Sequence, residues 1–182
     1  MLWPLLALSI AVSATALLYA RYEYRKRGKL SALGLGLLCV MFFVPNLIVE
    51  YATRYAWPSG WLDYVGIMIC ALGLILLTAG ITMFASVLKV LCMDAGELTL
   101  SGIYRRSRNP QYVGYLLALF GFTLTDWSWW CLAPLVVVAL SVHLLVLIEE
   151  EHLLRTFGEP YAEYKRRVPR YLIVTSSSAL VG

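Results

Sequence analysis

Five long apolar runs dominate this chain: Leu2 to Ala20, Leu30 to Val49, Trp61 to Leu88, Gln111 to Thr125 and Cys131 to Ile148. A helix needs about 20 apolar residues to cross the ~30 Å of a bilayer's hydrocarbon, and most of these runs reach that length. The residues are 60% hydrophobic and only 14% charged, whereas about a quarter of a soluble domain is charged. The expected fold is therefore all-α: a polytopic membrane bundle of about five helices. The run ending at Thr125 covers only about 22 Å, and the Trp61 run about 42 Å, so the latter must tilt or project into water. The first run has no basic residue ahead of it and a basic cluster behind it, which marks an uncleaved span rather than a secretory signal.

Charge sets the orientation. Every Lys and Arg except Arg54 falls in Arg21 to Lys29, Lys89 to Arg108 or Arg155 to Arg170, which are alternate loops and the C-terminal segment of a five-span chain. The positive-inside bias assigns those segments to the cytoplasm and the N-terminus to the outside. Trp57, Trp61, Trp127, Trp129 and Trp130 then fall in the outer interfacial belt. The net charge of +4 belongs to this cytoplasmic girdle, which suits membrane lipids and not nucleic acid. Cys39, Cys70, Cys92 and Cys131 show no CxxC spacing, so neither a disulfide nor a zinc framework is implied.

The chain divides into three N-terminal spans (1–88), an information-rich region (89–172) and a tail (173–182). In the first part, RYEYRKRGK reads as a short connector, and Pro45 inside the second run predicts a kink. In the second, KVLCMDAGELTLSGIYRRSRNP reads as a loop lying on the bilayer surface. Its end, Asn109-Pro110, starts a helix, with Asn at the cap and Pro at the first helical position. That helix directs unpaired N–H groups and a partial positive charge at the cytoplasm.

The last run passes into Glu149, Glu150 and Glu151 without a turn residue, so its helix continues out of the membrane. Glu151 and Arg155, then Glu163 and Arg167, have the favourable i,i+4 order. Gly158 and Pro160 divide two helices, and Pro169 ends the second. Adjacent helical residues point about 100° apart, so the three glutamates cannot share a face. Glu149, with Leu145 and Leu153 on its own face, is the one expected to look into the protein, and an ionisable group buried near a membrane marks a functional site. Glu149-x-x-His152 has a di-iron spacing but lacks the second copy that such sites need, so no metal is assigned.

The resulting pocket combines Tyr104 and Tyr112 for stacking, helix N–H groups for an anion and carboxylates for a cation. A ligand with an aromatic base, a carboxylate and positive charge suits it. S-adenosylmethionine carries all three.

LTLSGIYRRSRNPQYVGYLL followed by EEEHLLRTFGEPYAEYKRRVPRYL resembles the superfamily of isoprenylcysteine carboxyl methyltransferases and phospholipid methyltransferases, over about Gly96 to Leu172. The resemblance implies that S-adenosylmethionine is held by Glu97, Leu98, Thr99, Tyr104, Asn109, Pro110, Gln111, Tyr112 and Glu149. It further implies catalytic roles for Glu149, facing the cofactor's cation, and for Glu150, orienting or deprotonating the acceptor. Asn109 stands where histidine is commoner in the family. Leu145 stands at the substrate position where the isoprenylcysteine enzymes carry an arginine thought to meet the substrate carboxylate. That shifts the expected acceptor from a prenylcysteine carboxylate toward a neutral or amine group on a lipid, or a thiol. The runner-up is an NADPH-dependent sterol or steroid reductase, whose family carries a similar Arg-His-Pro-Asn-Tyr motif; a scaffold without activity is the third reading.

Overall fold

A computed structural model describes residues 3–52, 60–92, 102–125 and 129–171, with the side chains of 51–52, 83–92 and 129 left aside. Six α-helices and one 3-10 turn make up its regular structure, and no strand occurs among the described residues. The helices are α1 (Trp3–Arg27), α2 (Ala32–Ala52), α3 (Trp61–Cys92), α4 (Pro110–Leu124), α5 (Trp129–Phe157) and α6 (Glu159–Arg167). The 3-10 turn, Gly102–Arg105, precedes α4. Four helices, α1, α2, α3 and α5, are long and apolar enough to cross a membrane, while α4 has only 15 residues. This is an integral membrane bundle, and α4 is as short as its apolar run. Trp57, Trp127 and the tail 173–182 lie outside the described residues.

One expectation fails at the first connector. RYEYRKRGK is not a loop: α1 continues through Arg27, and only Gly28 to Ser31 turns the chain. Tyr, Arg and Lys extend a helix readily, and Gly28 ends it at φ 68°, where a side chain would be strained. Glu23 then faces inward and is fully buried. Its Oε2 accepts the Ser31 backbone N–H at 2.8 Å, its Oε1 meets Arg27 at 2.9 Å, and Ser31 Oγ accepts the Gly34 N–H at 3.2 Å. A carboxylate on α1 thus caps the positive N-terminal end of α2 and closes the hairpin.

Trp3 meets Trp130 edge-on at 5.0 Å, and at the other end Arg25 bonds Glu151. Hence α1 and α5 run parallel, and Trp3 lies at the opposite end of the bundle from α6. Two core clusters fill the space between the helices. One joins Ala16, Leu17 and Ala20 to Leu38, Met41 and Leu145; the other joins Val49 and Leu119 to Cys131, Val138, Val142 and Val146. Pro45 lies inside α2 without ending it. One residue on, Asn46 donates to Tyr115 Oη at 2.6 Å and to the carbonyl of Phe42. That pair hydrogen-bonds α2 to α4, as polar side chains commonly do between membrane helices.

The closest helix pair is α3 with α4. Gly66, Gly73 and Gly80 recur every seven residues along α3 and face Gly121, then Ala118 and Gly114, then Gln111. A Cβ on Gly73 would stand 2.3 Å from the backbone N of Ala118, and one on Gly114 2.3 Å from that of Leu77. Without side chains between them the backbones touch, a packing favoured in lipid because dispersion replaces the absent hydrophobic drive.

Candidate active site

The three consecutive glutamates of α5 diverge as helical geometry requires, and each meets a different neighbour. Glu149 Oε1 accepts the hydroxyl of Tyr112, on α4, at 2.8 Å. Tyr112 also stacks on Phe42 of α2, with ring centroids 6.2 Å apart. Glu151 turns to α1, bonding Arg25, and to Arg155 one turn on. Glu150, buried, is gripped by Arg170 through two parallel bonds of 2.9 Å, with Arg108 at 3.2 Å and Lys165 at 3.6 Å.

The Arg170 fork explains how the chain past α6 is held. Gly158, at φ 60° and ψ −130°, reverses the chain between α5 and α6, a conformation that only glycine adopts freely. Tyr161, Tyr164 and Val168 then pack together against Leu153 and Phe157. Beyond α6 the backbone crosses the mouth of α4: Arg108 N–H donates to Pro169 C=O at 3.0 Å, and Asn109 Nδ2 donates to Arg170 C=O at 3.2 Å. Tyr164 Oη donates to the Tyr104 carbonyl at 2.8 Å, tying α6 to the 3-10 turn. Burial keeps the hydroxyls of Tyr104 and Tyr164 well above the ordinary tyrosine range, and that of Tyr161 is pushed up to about 12 by burial and then by the Glu150 charge. All three remain donors at neutral pH.

Asn109 occupies the cap position of α4 and Pro110 the first helical one, but the Asn109 side chain does not cap. It is spent on Arg170, and its own N–H is taken by Ser107 Oγ at 3.1 Å. Gln111 accepts the Tyr104 hydroxyl at 3.0 Å. Tyr104, Asn109, Pro110, Gln111, Tyr112, Glu149 and Glu150 therefore converge at one end of the bundle. Leu145 lies one turn deeper than Glu149, wholly buried in the α1–α2–α5 core with Tyr112 against it. Glu97, Leu98 and Thr99 lie outside the described residues. His152 leaves Glu149 for a stack on Tyr24 of α1, at 4.4 Å, so the two do not form a ligand pair.

Sequence reasoning passed over Arg108. Its side chain is 7% exposed and its Nη1 is ion-paired with Glu150 at 3.2 Å, yet its buried Nε has no hydrogen-bond acceptor among the described residues. A buried donor without an acceptor is costly, so the Nε edge of this guanidinium suits an acceptor brought from outside. The signal was available in RSRNP, where Arg108 is the basic residue adjacent to the helix cap.

A sequence model of the phospholipid methyltransferase family matches residues 62–160, more than half of the 182-residue chain. The chain belongs to the phospholipid methyltransferase family. Its match runs from the start of α3 to the start of α6, and so contains the glycine-packed hairpin, the mouth of α4 and the three glutamates. Two curated relatives are both named protein-S-isoprenylcysteine O-methyltransferases. The Xenopus laevis protein is 31% identical over 129 residues, which are 60% of this chain and 40% of that protein. The form B protein of Arabidopsis thaliana is 26% identical over 144 residues, 73% of this chain and 68% of that protein. No solved structure matches. Within this phospholipid methyltransferase-family chain, the residues from 161 onward that cover the α4 mouth, Arg170 above all, lie beyond the family match.

Proposed function

We propose that the chain transfers the methyl group of S-adenosylmethionine to a lipophilic acceptor held in the membrane, with the cofactor taken up from the cytoplasm. The observation that carries the reading is the Tyr112–Glu149 pair at the α4 mouth, one residue along from the Glu150 cluster that includes Arg108. The donor set fits the cofactor. A carboxylate at Glu149 complements a sulfonium or ammonium, the Arg108 guanidinium, paired with Glu150 but with its Nε unsatisfied, offers a donor to the amino acid carboxylate, and Tyr104 and Tyr112 offer rings to the base.

Bound there, the cofactor supplies an electrophilic methyl carbon for in-line attack, with the electron pair of the broken bond returning to sulfur. The chain's own contribution is alignment and exclusion of water. Tyr112 orients the Glu149 carboxylate, while Phe42 and Leu145 supply an apolar floor. Glu150, ion-paired with Arg108, Arg170 and Lys165, acts in this reading as a positioning residue that keeps Arg108 and the 168–171 segment in place. The family resemblance assigns Glu97, Leu98 and Thr99 to the cofactor as well, and these lie outside the described residues. With α1 and α5 parallel and the basic segments gathered at the α6 end, that end faces the cytoplasm and the Trp3 end faces outward.

No cation stands at the Leu145 position to receive a carboxylate, so the favoured acceptor is an amine on a lipid headgroup or a thiol, in distinction from the prenylcysteine of the relatives' names. The deciding experiment is calorimetric titration of the detergent-purified protein with S-adenosylhomocysteine beside NADPH, followed by transfer of labelled methyl groups to phosphatidylethanolamine, a prenylcysteine and small thiols. Saturable binding of S-adenosylhomocysteine alone supports the reading. Binding of NADPH alone would assign the site to a reductase.

A further inference from the structure

We propose that the groove between α1 and α5, at the α6 end of the bundle, binds one anionic phospholipid, its phosphate on Arg21, Arg25 and Arg155 and an acyl chain along Leu18, Leu144 and Leu147. The site is separate from the methyl-transfer pocket and does not depend on that function.

Three guanidiniums converge on the single Glu151 carboxylate. Arg155 approaches at 2.6 Å, Arg25 at 2.8 Å, and Arg21 stands off at 3.9 Å. One negative charge faces three positive ones, which leaves two uncompensated at one spot. The contrast with Glu150 is instructive. That carboxylate and Arg108 are closed off, 5% and 7% exposed, whereas the side chains of Arg21, Arg25 and Arg155 are 50%, 47% and 52% exposed. Arg21 makes no hydrogen bond among the described residues, and Arg155 uses a single nitrogen on Glu151. Forked donors with free N–H groups match the oxygens of a phosphate diester. Behind them, Tyr24 stacked on His152 forms a fixed wall, and Ile148 lines the same cleft.

The membrane side of the cluster supplies the second half of the argument. Leu144 and Leu147 precede Glu151 by seven and four residues and share its face of α5; Leu18 precedes Arg21 and Arg25 by three and seven and shares theirs on α1. All three leucines are exposed in the isolated chain. A cationic head directly above an apolar strip calls for an amphipathic anion, and free phosphate would satisfy only the upper half. The level is right too. At ~1.5 Å per residue α1 is about 37 Å long, so with ~30 Å of hydrocarbon its last turns reach the headgroups.

The test is thermal melting of the full chain in neutral detergent, with phosphatidylglycerol, phosphatidylcholine or inorganic phosphate added. The wild type should gain stability saturably with phosphatidylglycerol. Arg21→Gln/Arg155→Gln should need about tenfold more of it or greater, as loss of two interfacial charges implies. Arg166→Gln/Arg167→Gln, which removes equal charge from α6, should behave as the wild type, and Arg21→Lys/Arg155→Lys should recover part of the response. Arg21→Gln alone gives a milder shift and decides the matter if the double variant does not fold. Equal responses of the Arg21→Gln variants and the wild type would overturn the site. So would equal stabilisation by inorganic phosphate, or an equal loss in the α6 control.

Discussion

Replacing Gly73 by alanine tests whether direct backbone contact between α3 and α4 holds the site together. The new Cβ would lie 2.3 Å from Ala118 N and 2.7 Å from both Ala118 Cα and Gly114 O. These are backbone atoms and cannot rotate away, so the helices must part by about 1 Å, the gap between 2.3 Å and the 3.4 Å at which ordinary contact begins. Overpacking of this kind costs about 1–3 kcal/mol, and the better helix propensity of alanine returns up to about 1 kcal/mol. Gly36 supplies the control, because a Cβ there meets nothing within 4 Å. Gly36→Ala should be neutral or gain up to about 1 kcal/mol. Denaturant unfolding in detergent should therefore separate the two variants by about 1–3 kcal/mol. A second readout follows the hairpin toward its functional end. A Cβ on Gly80 would come 2.8 Å from Gln111 N, at the α4 mouth, while one on Gly66 meets Gly121 O at 2.6 Å, at the far end. Both alanines should destabilise, but only Gly80→Ala should also weaken S-adenosylhomocysteine binding, by about tenfold or 1.4 kcal/mol. If Gly73→Ala proves as stable as Gly36→Ala, or Gly66→Ala impairs binding as much as Gly80→Ala, the reasoning fails.

Glu150→Gln should lower stability by about 3 kcal/mol or more, because it strands the buried Arg108 and frees Arg170; limited proteolysis near Arg170 should accelerate, and an unchanged cleavage rate would contradict the clamp. Tyr112→Phe removes the only described hydrogen bond to Glu149 and should cost about 1–3 kcal/mol of binding or stability, read by titration and melting together. Glu149→Gln should sharply weaken S-adenosylmethionine binding while melting changes little, and unchanged affinity would exclude Glu149 from the cofactor's cation. Glu23→Ala should lower the melting temperature by uncapping α2, whereas Ser31→Ala, which removes the hydroxyl but keeps the Ser31 N–H on Glu23, should lower it less.

The helices were legible because apolar runs and helix stops are local signals. Gly158 and the short α4 fell where the sequence placed them, since each depends on residues within a turn or two. The identity of the residues at the α4 mouth was legible for the same reason. What escaped is pairing across the chain. The cap that Glu23 provides for α2 turns an apparent loop into a structural clasp, and eight residues separate the partners. Asn109 looked like a capping residue because its type and the following proline fit that motif, yet its side chain serves Arg170, 61 residues away. The seven-residue glycine spacing on α3 was visible, but only its register against Gly114 and Gly121 on α4 gives it meaning.

The triplet Glu149, Glu150 and Glu151 explains why one helix can serve several elements at once. Residues about 100° apart on a helix reach different neighbours, so the triplet joins α5 to α4 through Tyr112, to the 168–171 segment through Arg170, and to α1 through Arg25. Any tilt or rotation of α5 must disturb all three links together. A change at the α1 groove, such as loss of Arg25 or binding of an anion there, therefore acts on the same turn that presents Glu149 to the mouth of α4.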